Sequence, residues 1–599
     1  MPVPKNKIDT DTLPEWKLED LYPGPGSPEF LADLDGAAAA SKAFRFSWAG
    51  RLDEVAASGG AALAKAVAEY EALSDRLGRI GSYAGLTYAS NTASPDNAKF
   101  YGDTQGRLNE ITTGLIFFEL ELNRIDDDVI EAALKDASLA HYAPWIADVR
   151  KERPYQLDDR TETLFHEKAM TGAGAWNRLF DQTMTALRFE IGGQSLALEP
   201  TLNLLSSPEE PKRKAGAMAI AKTLGDAIDT FALITNTLAK DKEISDRWRG
   251  FDDIAASRHL ANRVEAEVVD ALVAAVRAAY PRLSHRYYAL KAKWMGMDKL
   301  NHWDRNAPLP DDDDRLIGWE EARETVLAAY GDFSPKMALV AGRFFDRGWI
   351  DAPVREGKSP GAFSHPTVPS AHPYVLLNYQ GRPRDVMTLA HELGHGVHQV
   401  LAAPRGALMA PTPLTLAETA SVFGEMLTYR SLLASARGKA ARKAMIAGKV
   451  EDMLNTVVRQ IAFYSFERQV HTERKSGELT AARIGEIWLE VQSESLGPAI
   501  RFGEGYEHFW SYVPHFIHSP FYVYAYAFGD CLVNSLYAVY ENAETGFAEK
   551  YLELLAAGGT KHHSELLAPF GLDARDPEFW QAGIGLIDAM IGELEDMDG

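Results

Sequence analysis

The chain has 599 residues, 46% of them hydrophobic and 25% charged, with a formal net charge of -23. That length exceeds what one hydrophobic core serves, so at least two lobes are expected; the composition excludes wholesale disorder and a membrane bundle, and the acidic balance argues against nucleic acid, whose phosphates require clustered Lys and Arg. The single cysteine, Cys531, excludes an internal disulfide and a multi-cysteine metal site, and fits a reducing compartment.

Met1–Trp16 carries no apolar run of the kind a secretory leader needs. The most apolar stretches, such as Gly114–Leu122, fall short of the roughly 20 residues that cross a bilayer. A cytoplasmic protein with no membrane partner is expected, its oligomeric state left open.

Leu63, Val67, Tyr70, Leu73, Leu77 and Ile80 recur three or four apart and predict one amphipathic helix. Leu187–Ile191 and Gln194–Leu198, separated by Gly192-Gly193, predict a hairpin. A lobe boundary is placed just after it, giving a helical N-terminal lobe over 1–200 and a catalytic region over 201–599. Thr201–Lys214, with two prolines and several charges, suits a surface connection. Asn262, with Glu265 three residues on, predicts the start of another helix through Val268, Leu272 and Val276.

Gly357–His372 contains three prolines and is expected to be a long loop. Pro373–Tyr379 predicts a strand, ended by Gly381, on which a peptide could pair through the backbone of Leu377, Asn378 and Tyr379.

Between Pro383 and Pro404 a helix of about four turns is expected. His391 and His395 are four apart, so they project from one face of it and can share a metal ion. Glu392 lies part of a turn round, where its carboxylate can act as base toward an attacking water. Zinc suits such donors, because two imidazoles and one carboxylate leave a fourth position open.

The third donor is not a histidine six residues on, since position 401 is Leu. The next helix, Leu414–Leu427, is largely apolar yet carries Glu418 and Glu425 seven apart on one side. A carboxylate on such a surface needs a partner. Glu418 is assigned to the metal and Glu425 to the other ring nitrogen of a ligand histidine. His398 is set aside as a residue that packs or hydrogen-bonds behind the ligands, because a fourth ligand would close the site.

These segments resemble the thimet oligopeptidase-like metallopeptidases, and within them the oligoendopeptidase F group. The resemblance rests on Gly357–Ser364, His372–Tyr379, Thr388–His395 and Leu416–Ser421, and reaches Trp16–Tyr22 and Asp576–Trp580 near the ends. It implies a mainly α, two-lobed fold around a deep substrate channel, a small sheet beside the motif helix, and one zinc ion on His391, His395 and Glu418. It implies a zinc-dependent endopeptidase acting on short oligopeptides.

The resemblance also implies that a late histidine and tyrosines hold the peptide and its oxyanion. In Pro514–Tyr526 the candidates are His515 and Tyr526, then Tyr522 and His518, with Tyr522 and Tyr526 sharing a face if a helix starts near Pro520. A related carboxypeptidase, which would need an arginine such as Arg501 to capture a terminal carboxylate, and a non-catalytic peptide-binding protein are the alternatives. Glu392 weighs against the second.

Overall fold

The computed structural model describes residues 13–309, 316–543 and 545–598; most of Met1–Trp16 lies outside them. Helix accounts for 71% of it, so strands are local devices. Among the described residues they are β1 (Phe189–Ile191), β2 (Gln194–Leu196), β3 (Leu300–Asn301), β4 (Ile350–Asp351), β5 (Phe363–His365), β6 (Tyr374–Leu376) and β7 (Ile500–Arg501). They pair as β1-β2, β3-β7 and β4-β6-β5. No helix among the described residues is long and apolar enough to cross a membrane.

The chain forms two compact units, but their division does not coincide with a single boundary near residue 200. One unit comprises 1–153, 314–435 and 542–571; the other comprises 154–313, 436–541 and 572–599. Helical periodicity says which face of a helix is buried, not which helix covers it, so an interleaved division leaves no local mark.

In the first unit the expected amphipathic helix spans Gly60–Ser90 and buries Leu63, Val67, Leu73, Leu77 and Ile80. It packs against the helices Pro28–Trp48 and Pro95–Thr113. Both partners start on a serine whose side chain accepts a backbone N–H, followed by proline at the first helical position. Those caps satisfy donors that the first turn otherwise leaves open.

The three-stranded sheet of this unit departs from expectation in two ways. Gly357–His372 is not all loop, since it contains β5, which pairs antiparallel with β6. The observed strand β6, Tyr374–Leu376, is also shorter than the expected Pro373–Tyr379, and it lies between β4 and β5. Buried Lys358 ties the sheet together. Its Nζ shares three N–H donors among four oxygens within reach: Asp351 Oδ1 (2.9 Å), Asp351 O (3.0 Å), Pro353 O (2.8 Å) and Leu377 O (2.6 Å). A buried ammonium is tolerated only with such a full set of acceptors.

In the second unit β1 and β2 form the expected hairpin, with Gly192 and Gly193 at φ 59° and 84°. Two successive positive φ values are what a two-residue turn of this hand requires. Asn262 does not start a helix. It follows the helix Ala256–Ala261, and its buried amide donates to Tyr524 Oη (2.9 Å), while the next helix, Ala266–Ala279, begins after Glu265. A tertiary hydrogen bond outcompetes the local cap. Cys531 is buried on the helix Tyr524–Glu541, which packs against Pro577–Asp596.

This unit also buries three neutral histidines, which predicts acid sensitivity. Burial pushes His259 and His302 down to about 4 and His471 to about 3. In the unfolded chain each returns to the ordinary value of 6.5. As pH falls below that value the unfolded state takes up protons that the native state refuses, so stability drops. The loss is on the order of 1 kcal/mol per histidine at about pH 5.5. Thermal unfolding followed across about pH 7 to 5 should show a falling midpoint; a flat profile contradicts this account.

Candidate metal centre and catalytic residues

The motif helix spans Pro383–Ala402, twenty residues and thus longer than the expected four turns. Its start is set by Pro383 and by the Asp385 carboxylate, which accepts the N–H groups of Gln380 (2.9 Å) and Arg382 (3.0 Å). The acid-bearing helix spans Leu414–Ser435 and packs along it.

Gly394 makes that approach possible. A Cβ there would sit 2.4 Å from Ala420 O and 2.7 Å from Ser421 Cα. Tyr330 Oη donates to Ala390 O (2.5 Å) and Tyr551 Oη to Thr419 O (2.8 Å), fastening each helix next to His391 and Glu418 respectively. Sequence reading missed both tyrosines, which lie far along the chain.

The close packing brings the three assigned ligands together. Glu418 Oε2 lies 3.4 Å from His391 Nε2 and 3.5 Å from His395 Nε2, and the three donor atoms all fall within 4.8 Å of one another. An ion bound at about 2.0–2.2 Å in tetrahedral geometry spaces its donors by roughly 3.3–3.5 Å, so this set fits zinc.

Charge supports the same fit. Burial raises the Glu418 carboxyl, but His395, His391 and the Ser421 hydroxyl (2.7 Å) outweigh it and hold it at about 2. Burial lowers His391, yet Glu425 and Glu418 outweigh that and raise it to about 9. The carboxylates therefore demand positive charge between the helices, which a dication supplies. His391 Nδ1 lies 3.0 Å from Glu425 Oε2, as expected, leaving Nε2 for the cluster. Ser421 was missed, although its spacing of three from Glu418 on a helix was available.

Glu392 is buried to 7% exposure, and burial pushes its carboxyl above the usual range. It also accepts a hydrogen bond from the Ser364 backbone on β5, a contact unforeseen in a segment expected to be loop. His398 is buried and stays off the donor cluster, with Nε2 3.3 Å from Thr412 Oγ1.

In the second unit His515, Tyr522 and Tyr526 come together. His515 Nε2 lies 3.3 Å from Tyr526 Oη, and the Tyr522 and Tyr526 rings are 5.0 Å apart. They do not share a helix face, because the helix begins at Tyr524 rather than near Pro520. Phe521 has φ 61°, which breaks any helix there. Its N–H donates to buried Glu467 Oε1 (2.8 Å), and Arg258 Nε donates to Pro520 O (3.1 Å). Tyr524 points elsewhere, its hydroxyl 3.0 Å from His259 Nδ1.

Two expectations about substrate contact are corrected. Leu377 and Tyr379 are buried, and their N–H groups already donate to Asp351 O (2.8 Å) and Ala352 O (2.9 Å). The side-chain amide of Asn378 donates to Ser359 O and Gly361 O. β6 itself is flanked on both sides, by β4 and β5, so β6 offers no free edge. His518 is exposed and faces Asp181 Oδ1 at 2.8 Å rather than joining His515.

The motif helix and the acid-bearing helix both lie in a region of the chain that a family model matches. The model of peptidase family M3 matches residues 336–586, and that of oligopeptidase F matches 121–189. Oligopeptidase PepF of Bacillus subtilis is 26% identical over 97% of this chain and 87% of its own. An oligoendopeptidase F homolog of Lactococcus lactis subsp. lactis is 26% identical over 87% of this chain and 88% of its own. The fold is that of oligoendopeptidase-F from Enterococcus faecium, with a TM-score of 0.72 at 22% identity over 95% of this chain and 99% of that one. On the matched motif helix, the acid helix and the near full-length relatives together, the chain belongs to peptidase family M3 and is a metalloendopeptidase of the oligoendopeptidase F group.

Proposed function

We propose that the chain is a zinc-dependent endopeptidase that hydrolyses short oligopeptides with Glu392 as general base. The observation that carries this reading is the convergence of His391 Nε2, His395 Nε2 and Glu418 Oε2, with the buried Glu392 carboxyl on the helix of the two histidines. Zinc held there would polarise the scissile carbonyl and acidify water. Glu392 takes a proton from the attacking water at its carboxylate and passes it to the leaving amine nitrogen, so no covalent enzyme intermediate is needed. Burial, by raising its affinity for that proton, suits it to both transfers.

In this reading His515, Tyr526 and Tyr522 donate hydrogen bonds to the developing oxyanion and the peptide. Burial, with Arg459 and His518, lowers the His515 imidazole, which keeps it neutral and able to share its proton with Tyr526. Backbone pairing with the peptide is assigned to β5 instead of Leu377–Tyr379, because Ser364 on β5 borders Glu392. A channel that admits only short, unfolded peptides belongs to the same proposal. So does a cytoplasmic setting, which the one free, buried cysteine supports.

The test is metal analysis of the purified protein alongside hydrolysis of peptides blocked at both ends over a series of lengths. One zinc per chain, loss of activity on chelation and cleavage confined to short blocked peptides are expected. Full activity after complete metal removal would sink the reading.

A further inference from the structure

We propose that Glu467 and Arg258 are positioning residues that fix Tyr522 by gripping both ends of one peptide unit. The inference rests on the reading that Tyr522 touches the peptide substrate, and it lies wholly within the second unit.

The Tyr522 N–H donates to Ser519 O (3.1 Å), which closes a four-residue turn over Ser519–Tyr522. Pro520 takes its second position and Phe521, at φ 61°, its third. That is the type II pattern, whose third position favours Gly or Asn because it requires a positive φ. A phenylalanine there leaves the turn a ready alternative. Turning over the Pro520–Phe521 peptide unit gives the type I form, with an ordinary negative φ at Phe521. The atoms that such a flip redirects most are Pro520 O and the Phe521 N–H. Both are held, since Arg258 Nε donates to Pro520 O (3.1 Å) and the Phe521 N–H donates to Glu467 Oε1 (2.8 Å).

Glu467 has no other partner to explain it. The residue is buried to 2% exposure, its Oε2 is buried without a hydrogen-bond partner, and among the described residues it makes no ion pair. Lys242, on the neighbouring helix, has its Nζ taken by Asp246 Oδ2 (2.6 Å) and Ser257 Oγ (3.0 Å). A buried carboxyl with one oxygen engaged is costly, and an apolar side chain would pack there more favourably. Burial pushes this carboxyl up to about 8, so at pH 7 it is neutral and still offers an oxygen to the Phe521 N–H.

The same helix, Val458–Arg474, also holds the Phe521 ring, which is fully buried 6.1 Å from the Tyr464 ring and 4.7 Å from that of His471. Tyr464, Glu467 and His471 share one face of that helix, so a single surface fixes the N–H and the side chain together. A strained φ persists only where its surroundings over-determine it, and such places cluster at functional sites. Among residues 521–530 only Tyr522 and Tyr526 are not buried. The Tyr522 ring lies parallel to that of His515, 6.1 Å away. The held turn therefore aims the side chain that follows it.

The experiment measures kcat and KM of the full chain at pH 7 on one peptide blocked at both ends. Tyr522→Phe is expected to lower kcat/KM about tenfold or more by removing a donor to the oxyanion. Glu467→Leu keeps the bulk and removes the acceptor; it should lower kcat by about the same factor with KM within about threefold, as misplacing a group that acts in the transition state does. Glu467→Gln retains an acceptor oxygen and should recover most of that loss. In protein already carrying Tyr522→Phe, adding Glu467→Leu should cost no more than about twofold, because nothing is left to position.

Additive losses for the two substitutions overturn the proposal, as does full activity in Glu467→Leu when Tyr522→Phe is impaired. An equal loss in Glu467→Gln and Glu467→Leu also overturns it, since the acceptor would then not matter. If Glu467→Leu does not fold, Arg258→Met, at a half-buried position, carries the same cycle with Tyr522→Phe through Pro520 O, and additivity there overturns the proposal. Unimpaired turnover in Tyr522→Phe sinks the reading of Tyr522 as a substrate contact and this inference with it; the other outcomes leave that reading standing.

Discussion

Replacing Glu392 by Gln is expected to reduce peptide hydrolysis by about two to four orders of magnitude with metal content unchanged. The substitution keeps the shape of the side chain, and its amide oxygen can still accept the Ser364 N–H that Glu392 accepts now. What it removes is the ability to take a proton. Because Glu392 is buried and not among the three converging donors, neither the packing of the motif helix nor the ligand set should change. The measurements are kcat for one peptide, zinc per chain and the thermal midpoint of both proteins. Hydrolysis within a few-fold of the original, with zinc bound, would remove Glu392 from the mechanism.

The second large effect is expected from Glu418→Ala. That carboxylate lies within 3.5 Å of both assigned histidines, and without it the proposed set is left with two imidazoles. Loss of an outer partner such as Glu425, which orients His391 through Nδ1, typically weakens metal binding by about 10- to 100-fold. Glu418→Ala should exceed that range and abolish activity at ordinary zinc concentrations, whereas Glu425→Gln should fall inside it and recover with added zinc. Competition with a chelator of known affinity ranks the two. Equal effects would mean that Glu425 is not confined to orienting a histidine.

How much of this was legible follows from the range of the forces involved. The pair His391 and His395 is a property of one helix, so spacing and the flanking prolines suffice to show it. The hairpin at Gly192-Gly193 is equally local, since only the turn's positive φ values are at stake. The start of the Ala266–Ala279 helix was misplaced at Asn262, where a contact with Tyr524, far along the chain, overrides the local signal. The same reason explains the helix expected from Pro520: Phe521 is held in a left-handed conformation by Glu467 and Arg258.

Sequence alone determined that this chain carries a two-histidine helix with an adjacent glutamate, followed by a helix with two acids, because those features need only the 3.6-residue period. Tertiary structure alone decided that Glu418 completes the cluster while Glu425 backs His391. The helices can approach that closely only because Gly394 has no Cβ to meet Ala420. It also decided that β5, inside a Pro- and Gly-rich stretch, borders Glu392, and that Leu377–Tyr379 is already committed to the sheet. Strand pairing and helix contact depend on partners distant in sequence, and no local pattern records which partner is chosen.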